Sequence, residues 1–448
     1  MRFIGLERVK KVYFIGIYGV SMSALAKLLS INGYKVSGSD ERKNEESESL
    51  AYYGVTTFVG VDGNRAELLE ADLIVFTDAI PQNHLELVSA VSLKKRILRR
   101  AELLENICKS YPHTISVAGS HGKTTCSSMC AHILKSAGVP FTAHIGGDDF
   151  AFSNFYTCGD EYFLTEACEY KKNILKIRSE TAVLLNIDLD HMECYGTENE
   201  LVFAFENYCK QAKTTFICGD DERSLQIGDF PSFSIKNPTS DYRAVDIKNY
   251  DERYGFTIEE YGKKIAKIRL KCIGKCNIYN ALAAFSCMRS YGFSPSEIKD
   301  GLESFTAVKR RFEKIGLYKG AECICDYAHH PKEIISTLKT ARGLTKGRLL
   351  VVFQPHTFSR TKALLNDFVS VLQTVDNLLI YKTYPAREKY DYLGSGRYLS
   401  EKIGSLYADN LAILRTWLDK TVKDGDTVLF LGAGDIYYLA QYLIKEIK

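Results

Sequence analysis

The sequence predicts an α/β protein of three domains, with a parallel sheet in the central one. Short apolar runs rich in β-branched residues alternate along the chain with stretches of helical periodicity, a pattern typical of parallel sheets. Glycine-containing turns follow several of these runs, as in nucleotide-binding folds. The length of 448 residues also corresponds to about three domains of ordinary size.

The first strand–turn–helix unit lies near the N-terminus. Residues 12–15 form an apolar run that predicts a buried strand, and a turn begins at Gly16. Residues 22–32 carry apolar side chains at helical spacing. Further strands are predicted at 34–37 and 73–76. The charged stretch that follows, 94–106, is predicted to be a helical link out of this layer.

The first turn has some features of a dinucleotide-binding turn. Gly16-x-Tyr18-x-x-Ser21 stands where a G-x-G-x-x-G fingerprint would stand, and Asp40 lies near the position of a ribose-binding acid. Two of the three glycines are replaced, and Tyr18 is expected to put a ring where backbone would approach a pyrophosphate. A standard NAD site is therefore disfavoured. A ligand-binding turn and an unliganded doubly wound turn both stay open.

The second unit contains the strongest local motif. The strand predicted at 115–118 leads into G-S-H-G-K-T and then a helix. Glycines let backbone N–H groups converge on an anion, and the helix N-terminus adds its dipole. Lys123 would reach the β- and γ-phosphates, and the Thr124 hydroxyl would bind Mg²⁺. The loop is shorter than the usual G-x-x-x-x-G-K-[ST], because only two residues separate Gly119 from Gly122.

Polar side chains follow two other strands of this unit. Glu166 and Glu169 come after one strand, and Asp188, Asp190 and His191 come after the next. Carboxylates at the ends of sheet strands near a phosphate loop are well placed to hold Mg²⁺. Either group alone is more often a solvated turn.

The chain then continues through a strand-rich stretch and a long helix into a third unit. The stretch is predicted at 230–272 and the helix at 277–291. Strands of the third unit are predicted at 321–325, 349–353 and 427–431, with one more at residues 378 to 381. Charged and aromatic groups follow several of these elements, namely Lys309-Arg310-Arg311, Asp326-Tyr327-Ala328-His329-His330 and His356-x-x-x-Arg360. Each has an ordinary reading as a surface run or a loop histidine.

Composition excludes several classes of protein. The chain has 58 Lys and Arg against 55 Asp and Glu, so a strong general field for nucleic acid is excluded. Thirteen scattered cysteines without a C-x-x-C pair fit a reducing compartment better than a disulfide framework. The sequence has neither a signal-like start nor an apolar run of membrane-spanning length. We therefore expect a cytoplasmic protein that does not bind membranes.

Taken together, the motifs resemble those of the Mur ligase family across nearly the full chain. The matching pieces, in family order, are F-I-G-I-x-G-x-x-M-S, V-S-G-S-D, D-A-I-P, V-A-G-S-H-G-K-T-T, E-A-x-E, N-I-x-x-D-H-M-x-x-Y-G, N-x-x-N-A-L-A-A, V-K-R-R-F-E, D-Y-A-H-H-P, F-Q-P-H-x-x-x-R-T and L-G-A-G-D-I. Any one of these motifs is weakly specific. Their combination in one order is highly specific.

The resemblance implies a domain order and a reaction. A Rossmann-like UDP-sugar domain is expected at 1–106, a P-loop-type ATPase domain at 107–307 and a Rossmann-like amino-acid-binding domain at 308–448. ATP and Mg²⁺ are the implied cofactors. The implied reaction joins L-alanine to the lactyl carboxylate of UDP-N-acetylmuramic acid through an acyl phosphate.

The resemblance also implies a role for individual residues. The implied catalytic residues are Lys123, Glu166, His191 and Arg311, and the implied Mg²⁺ ligands are Thr124, Glu166 and His191. The implied ATP-binding residues are Gly119, Ser120, His121, Gly122, Lys123, Thr124, Thr125, Asn277, Asn280, Arg311 and Asp326. The implied substrate-binding residues are Gly16, Gly19, Ser39, Asp40, Tyr327, His329, His356 and Arg360. Within the last group, the first four would face the UDP-sugar and the last four would shape the amino-acid end.

Five positions depart from the family pattern. Tyr18 and Ser21 replace glycines, Cys168 replaces an Asp, Cys276 replaces a His and Thr357 replaces a common Arg. Three alternatives stay open beside the L-alanine ligase: a recycling ligase that attaches a preformed tripeptide to the same sugar nucleotide, a NAD(P)-dependent oxidoreductase built on the first turn, and a non-catalytic UDP-sugar-binding paralogue.

Overall fold

A computed structural model of the protein describes residues 1–445. The strands are β1 (Lys11–Ile15), β2 (Lys35–Asp40), β3 (Thr56–Val59), β4 (Leu73–Phe76), β5 (Arg96–Arg99), β6 (His113–Ala118), β7 (Phe141–Asp149), β8 (Ser153–Thr157), β9 (Tyr162–Glu166), β10 (Thr181–Leu184), β11 (Thr214–Cys218), β12 (Ser232–Ser234), β13 (Tyr242–Tyr250), β14 (Arg253–Glu260), β15 (Lys263–Ile273), β16 (Glu313–Tyr318), β17 (Ala321–Asp326), β18 (Leu349–Phe353), β19 (Asn377–Tyr381), β20 (Leu406–Ala408) and β21 (Thr427–Leu431). The α-helices are α1 (Val20–Ile31), α2 (Glu46–Tyr52), α3 (Ala66–Glu70), α4 (Leu85–Ser92), α5 (Arg100–Cys108), α6 (Lys123–Ser136), α7 (Met192–Tyr195), α8 (Glu198–Gln211), α9 (Glu222–Gln226), α10 (Cys276–Ser290), α11 (Pro295–Ser304), α12 (Pro331–Leu344), α13 (Phe358–Ala363), α14 (Leu365–Leu372), α15 (Gly396–Ile403), α16 (Leu411–Thr421) and α17 (Ile436–Lys445).

The first sheet has the parallel, doubly wound order β3-β2-β1-β4-β5. The order reverses between β1 and β4, and ligands of open α/β sheets bind at the carboxyl ends of strands at such a point. The turn after β1 leads directly into α1. The Rossmann-like layer predicted at the start of the chain is therefore confirmed.

The second sheet has ten strands in the order β15-β14-β13-β12-β11-β10-β6-β9-β7-β8. Its centre, from β13 through β7, is parallel, and β8 pairs antiparallel with β7 at one edge. The strand-rich stretch expected at 230–272 is present and extends this same sheet. The helix expected after it is α10.

The third sheet has six strands in the order β16-β17-β21-β18-β19-β20. All neighbouring pairs are parallel except β16 with β17, which is antiparallel. The four strands predicted for this unit are all present, as β17, β18, β19 and β21. The sheet is buried on both faces by separate apolar clusters, as a helix-covered parallel sheet requires.

The chain divides into two compact units. The first contains residues 1–247, 256–268 and 278–305, and the second contains 248–255, 269–277 and the chain from 306 onward. In the first unit, one apolar core takes in residues of both the first and the second sheet. The third sheet lies wholly in the second unit. No helix within residues 1–445 is long and apolar enough to cross a membrane.

The charged stretch 94–106 corrects the sequence prediction of a helical link. Residues 96–99 form β5, which pairs with β4 at the edge of the first sheet, and α5 begins only at Arg100. An edge strand needs only partial burial, and Ile97 and Leu98 are half-buried while Arg96 and Arg99 are exposed. The two arginines made the segment look like part of a charged helix. Its two central apolar residues are nevertheless enough to stabilise an edge strand.

Candidate active site

The phosphate loop connects β6 to α6 as predicted. Gly119 and Gly122 both have left-handed backbone conformations, with φ of 135° and 86°. A Cβ on Gly122 would lie 2.6 Å from Asn280 Oδ1, so a side chain is excluded by space as well as by conformation. Asn186, just after β10, holds the loop: its Oδ1 accepts from His121 N at 2.9 Å, and its carbonyl accepts from Ser120 N at 3.2 Å.

Lys123 is held inside the loop by a buried carboxylate. Its Nζ lies 3.1 and 3.0 Å from the two oxygens of Glu169 and donates to Gly119 O at 2.5 Å. Burial is the largest single effect and lowers the pKa of this ammonium. The charges of Glu169, Cys168 and Glu166 and the hydrogen bond to Glu169 together outweigh burial, so the net pKa is raised. Lys123 is therefore cationic. Glu169, which the sequence places with Glu166 near the phosphate loop, pairs with the loop lysine.

Thr124 and Glu166 lie together, as the sequence predicts. Thr124 Oγ1 donates to Glu166 Oε2 at 3.3 Å, and Gly146 N donates to the other carboxylate oxygen at 2.6 Å. A Cβ on Gly146 would lie 2.5 Å from Glu166 Oε2, so only glycine brings its backbone this close. A hydroxyl beside an oriented carboxylate is an oxygen donor set that fits a hard divalent cation.

The residues after β10 support the loop from the other side. His121 Nε2 lies 2.8 Å from Asp188 Oδ2, and Asp188 N donates to Ser120 Oγ at 2.8 Å. His191 has a left-handed backbone (φ 57°), lies 3.8 Å from Asp190 through its Nε2, and packs its ring against Tyr170. Asp188 thus contacts two loop residues, which sequence spacing alone did not indicate.

The first turn differs from the sequence prediction at Tyr18. The Tyr18 ring is buried and its hydroxyl donates to Thr57 Oγ1 at 3.0 Å, so it does not cover the backbone of the turn. The obstruction inferred from the sequence is therefore wrong: the ring has room in the core. Asp40 Oδ2 accepts from Tyr18 N at 2.9 Å, and Gly16 N donates to Ser39 O at 2.8 Å.

The four predicted sugar-nucleotide residues differ in exposure. Gly19 is exposed, and Gly16 and Asp40 are half-buried. Ser39 is buried, and its hydroxyl donates to the carboxylate of Glu86, which is itself fully buried. The side chain of Ser39 therefore faces the interior, and the ends of β1 and β2 present mainly backbone.

In the second unit, Asp326 and two arginines surround Tyr327. Asp326 ends β17 and accepts from Phe312 N at 2.8 Å and Ala328 N at 2.9 Å. Desolvation raises the pKa of Asp326 although Arg311 opposes it. The guanidinium carbons of Arg310 and Arg311 lie 4.7 and 5.0 Å from the centre of the Tyr327 ring, within the range of cation–π attraction.

The predicted amino-acid residues also lie together in the second unit. The rings of His329 and His356 are 5.7 Å apart, Tyr327 lies 5.4 Å from His329, and Arg360 NH1 lies 3.4 Å from His356 Nδ1. Tyr384 stacks on His356 at 5.6 Å. Sequence reasoning missed Tyr384, although it follows the strand β19 as the other site residues follow theirs.

The two predicted asparagines belong to different units. Asn277 lies in the second unit, and its Nδ2 donates to Ile273 O at 2.8 Å. Asn280 lies in the first unit, against Gly122 of the phosphate loop. The sequence placed both beside the nucleotide base. The contact of Asn280 with the loop itself was not foreseen, because it depends on how α10 packs.

Comparisons with known proteins agree with this architecture. Sequence models of three domains match the chain: the Mur ligase family catalytic domain at residues 11–112, the Mur ligase middle domain at 117–288 and the Mur ligase glutamate ligase domain at 310–434. The UDP-N-acetylmuramate–L-alanine ligase of Acetivibrio thermocellus is 36% identical, covering 98% of this chain and 97% of the relative. That of Caldanaerobacter subterraneus subsp. tengcongensis is also 36% identical, covering 99% of each.

Solved structures share the fold over the same length. The UDP-N-acetylmuramate-alanine ligase of Thermotoga maritima superposes with a TM-score of 0.84 at 26% identity, covering 98% of this chain and 99% of that one. A murein peptide ligase of Psychrobacter arcticus has the same fold, with a TM-score of 0.76 at 24% identity and coverage of 97% and 98%. Full-length similarity in sequence and structure, with the family motifs present in order along the chain, leads to one conclusion: this chain belongs to the Mur ligase family.

Proposed function

We propose that this protein is an ATP-dependent ligase that joins L-alanine to UDP-N-acetylmuramic acid. The observation that carries the proposal is the phosphate loop: a cationic Lys123 beside a paired Thr124 and Glu166. The substrates are proposed from the names of relatives that are 36% identical over almost the whole chain. The dispersed cysteines of the sequence fit the reducing cytoplasm, where we place the reaction.

The reaction needs an activated carboxylate, because a free carboxylate is a poor electrophile. The lactyl carboxylate attacks the γ-phosphorus of ATP, the bond from that phosphorus to ADP breaks, and an acyl phosphate forms. The alanine amine then attacks the carbonyl carbon and loses a proton as inorganic phosphate leaves. The products are ADP, phosphate and the amide.

Two anions meet in the first step, so the site must neutralise charge. Electrostatic stabilisation and positioning are the main terms in enzymatic phosphoryl transfer. Lys123 supplies a cation at the N-terminus of α6, whose backbone N–H groups also favour phosphate. For Lys123 to reach the nucleotide, its ammonium exchanges Glu169 for phosphate oxygens. Arg311 is proposed as a second catalytic cation.

Mg²⁺ is proposed as the metal of this site. Thr124 and Glu166 would hold one ion and His191 a second. Bound Mg²⁺ would neutralise phosphate charge and orient the transferred group. The paired hydroxyl and carboxylate of the loop support this choice, since both are oxygen donors.

The remaining assignments are proposed from the resemblance to the Mur ligase family. In the first unit, Gly119 to Thr125 and Asn280 are proposed to bind ATP, and Gly16, Gly19, Ser39 and Asp40 to lie at the sugar nucleotide. In the second unit, Asn277 and Asp326 are proposed to contact the nucleoside. The cluster of Tyr327, His329, His356 and Arg360 is proposed to shape the amino-acid site. We propose the domain boundaries 1–106, 107–307 and 308–448, and the strands of one sheet fall within each range.

A product assay tests the proposal. The purified protein is incubated with ATP, Mg²⁺ and UDP-N-acetylmuramic acid, and with L-Ala, Gly, L-Ser or L-Ala-γ-D-Glu-meso-diaminopimelate in turn. We expect L-Ala to give the highest kcat/KM, with one ADP formed per amide by mass spectrometry. Preference for the tripeptide would identify a recycling ligase instead. Sugar-nucleotide binding without phosphate release for any amine would identify a non-catalytic protein.

A further inference from the structure

A continuous chain of hydrogen bonds runs from the first turn to the strand that carries Glu166. Arg100 NH1 lies 3.2 Å from Ser21 Oγ, and Ser21 Oγ lies 2.8 Å from His144 Nε2. His144 Nδ1 lies 2.7 Å from Thr165 Oγ1, which donates to Glu166 O at 3.4 Å. We call the three central residues, Ser21, His144 and Thr165, the relay.

The direction of each hydrogen bond follows from the groups at the two ends. Arginine has only donors, so Ser21 Oγ accepts from Arg100 and its own hydrogen is available to His144. Burial, with the nearby charge of Arg100, lowers the pKa of His144 to about 3, so the imidazole is neutral. We assign its one hydrogen to Nδ1, which leaves Nε2 to accept from Ser21. Its Nδ1 then carries the hydrogen and donates to Thr165, whose hydroxyl hydrogen goes to Glu166 O.

The relay joins two sheets of the first unit at the candidate site. Ser21 lies in the first turn of α1, directly after the glycine turn of β1. His144 lies on β7 and is almost fully buried, and Thr165 lies on β9 next to Glu166. Ser21 stands where the family pattern has glycine, which has no hydroxyl to offer. The hydroxyl at this position is what makes the connection.

We propose that Ser21 and His144 are positioning residues that hold Arg100 at the first turn, where it meets the diphosphate of the sugar nucleotide. The inference rests on the proposed function, because that function supplies the diphosphate. The N-terminus of α1 already favours an anion. Because the Ser21 hydrogen is directed to His144, only oxygen lone pairs face Arg100, and the guanidinium is fixed beside the turn.

Removal of either partner leaves a buried polar atom without its hydrogen bond. Ser21→Ala takes the donor from His144 Nε2 and the acceptor from Arg100. His144→Leu takes away the acceptor that orients the Ser21 hydroxyl. Both changes release Arg100, so both should weaken sugar-nucleotide binding through the same contact. The phosphate loop keeps its own contacts, so nucleotide binding there should not change.

Calorimetric binding measurements test the inference without requiring turnover. We expect Ser21→Ala and His144→Leu each to raise the Kd for UDP-N-acetylmuramic acid about tenfold, the scale of a hydrogen bond to a charged group. The double variant should be no weaker than either single variant, since coupled residues are not additive. His144→Gln, whose amide oxygen can accept from Ser21, should restore most of the affinity. The Kd for MgADP should stay within about twofold in all of them.

A matched control removes another buried contact between α1 and the second sheet, on strand β8. Asn154 Nδ2 donates to Ser23 Oγ at 2.8 Å and to Val20 O at 2.9 Å. Asn154→Ala should lower the Tm and leave the Kd for the sugar nucleotide unchanged. Equal loss of affinity in Asn154→Ala would show that general loosening explains the effect, and would overturn the inference.

Isotope-labelled histidine gives a second readout in the folded wild-type protein. The resonance missing from His144→Gln identifies His144, and we expect the Nδ1–H tautomer. The Nε2–H tautomer, unchanged Kd values or additive single effects would overturn the relay. Wild-type protein that binds the sugar nucleotide but forms no amide would refute the proposed function alone. Protein that binds no sugar nucleotide would refute both.

Discussion

Lys123 forms an ion pair with the buried carboxylate of Glu169. We expect this ion pair to hold the lysine in the ligand-free protein and to break when nucleotide binds. Glu169 is almost fully buried, and Tyr195 OH donates to its carbonyl at 2.5 Å. The backbone of Glu169 is thus held in place beneath the loop. Glu169 helps to keep Lys123 charged, and we expect it also to compete with phosphate for the ammonium.

Lys123→Ala should abolish ligation and leave the fold intact. The alanine removes the loop cation, and electrostatic contributions of this kind are worth about 10²-fold or more in rate. Phosphate release and thermal unfolding should be measured together. Lys135→Ala, near the end of the same helix, is the control and should retain activity. Near-normal ADP formation by Lys123→Ala would contradict the assignment.

Glu169→Gln should bind nucleotide more tightly and be less stable without it. The neutral amide cannot form an ion pair with the ammonium of Lys123, so it no longer competes with phosphate. The Kd for MgADP should therefore fall several-fold. Loss of the ion pair should also lower the Tm of the ligand-free protein. Isothermal titration and calorimetry measure both effects. Weaker nucleotide binding with an unchanged Tm would show that Glu169 does not compete for Lys123.

Sequence reasoning identified single residues well where a motif fixes their neighbours. The family resemblance placed Thr124 and Glu166 at one Mg²⁺ site, and the structure brings the two side chains together. Tyr18 was misread, because the direction of a ring at a turn depends on the space beneath it. The contacts of Ser21 with His144 were not predicted, since residues 123 positions apart meet only through the packing of two sheets.

At the level of elements, the loop between β6 and α6 depends on two close approaches. Gly122 begins α6 in a left-handed conformation and lies under Asn280 of α10. Gly146 of β7 lies under Glu166 of β9. Glycines therefore let a helix and a strand approach the loop and its carboxylate without side chains between them.

Gly122→Ala should be more damaging than Gly138→Ala. Both glycines have positive φ, at 86° and 70°, but a Cβ on Gly138 meets nothing within 4 Å. Each change should cost about 1–2 kcal/mol for the left-handed backbone. Only Gly122→Ala must also displace Asn280, so it alone should lose MgADP binding. Denaturant unfolding and titration measure the two effects, and equal behaviour of the variants would contradict the packing argument.

The sequence predicted the most apolar central strands and missed others, among them the edge strands β5 and β20. Strands β18 and β21 are apolar runs buried on both sides, and their predicted bounds agree with the structure. The strands β5 and β20 are short and only partly buried, and β12, inside its sheet, is short although two of its three residues are buried. Their sequences carry arginine, serine or a single apolar pair, so periodicity gives no signal. Pairing with a neighbour, which is not local in sequence, forms them.

At the level of the whole molecule, two sheets share one unit while the third has its own. Buried polar contacts reinforce the shared core: Lys27 Nζ binds Glu46 Oε2 at 2.8 Å and Asn154 Oδ1 at 2.9 Å. A buried charge is tolerated only when it is paired in this way. The first and second sheets should therefore unfold together, although each has the topology of a separate α/β layer.

Ligand binding should stabilise the two units differently. The single tryptophan, Trp417, lies in α16 of the second unit, so its fluorescence reports that unit alone. UDP should bind the first unit and, at about 100 times its Kd, stabilise it by roughly 2.7 kcal/mol. Hydrogen exchange of the first two sheets should slow together. This division would be contradicted if UDP stabilised the unfolding transition seen by Trp417 fluorescence as much as it stabilised the first unit.

The most direct test of the central claim is a crystal structure with magnesium and a non-hydrolysable ATP analogue. We predict that the triphosphate lies on the loop from Gly119 to Thr124, with Lys123 moved from Glu169 onto phosphate and the metal bound by Thr124 and Glu166. A triphosphate bound anywhere else, with Lys123 still paired to Glu169, would contradict the account.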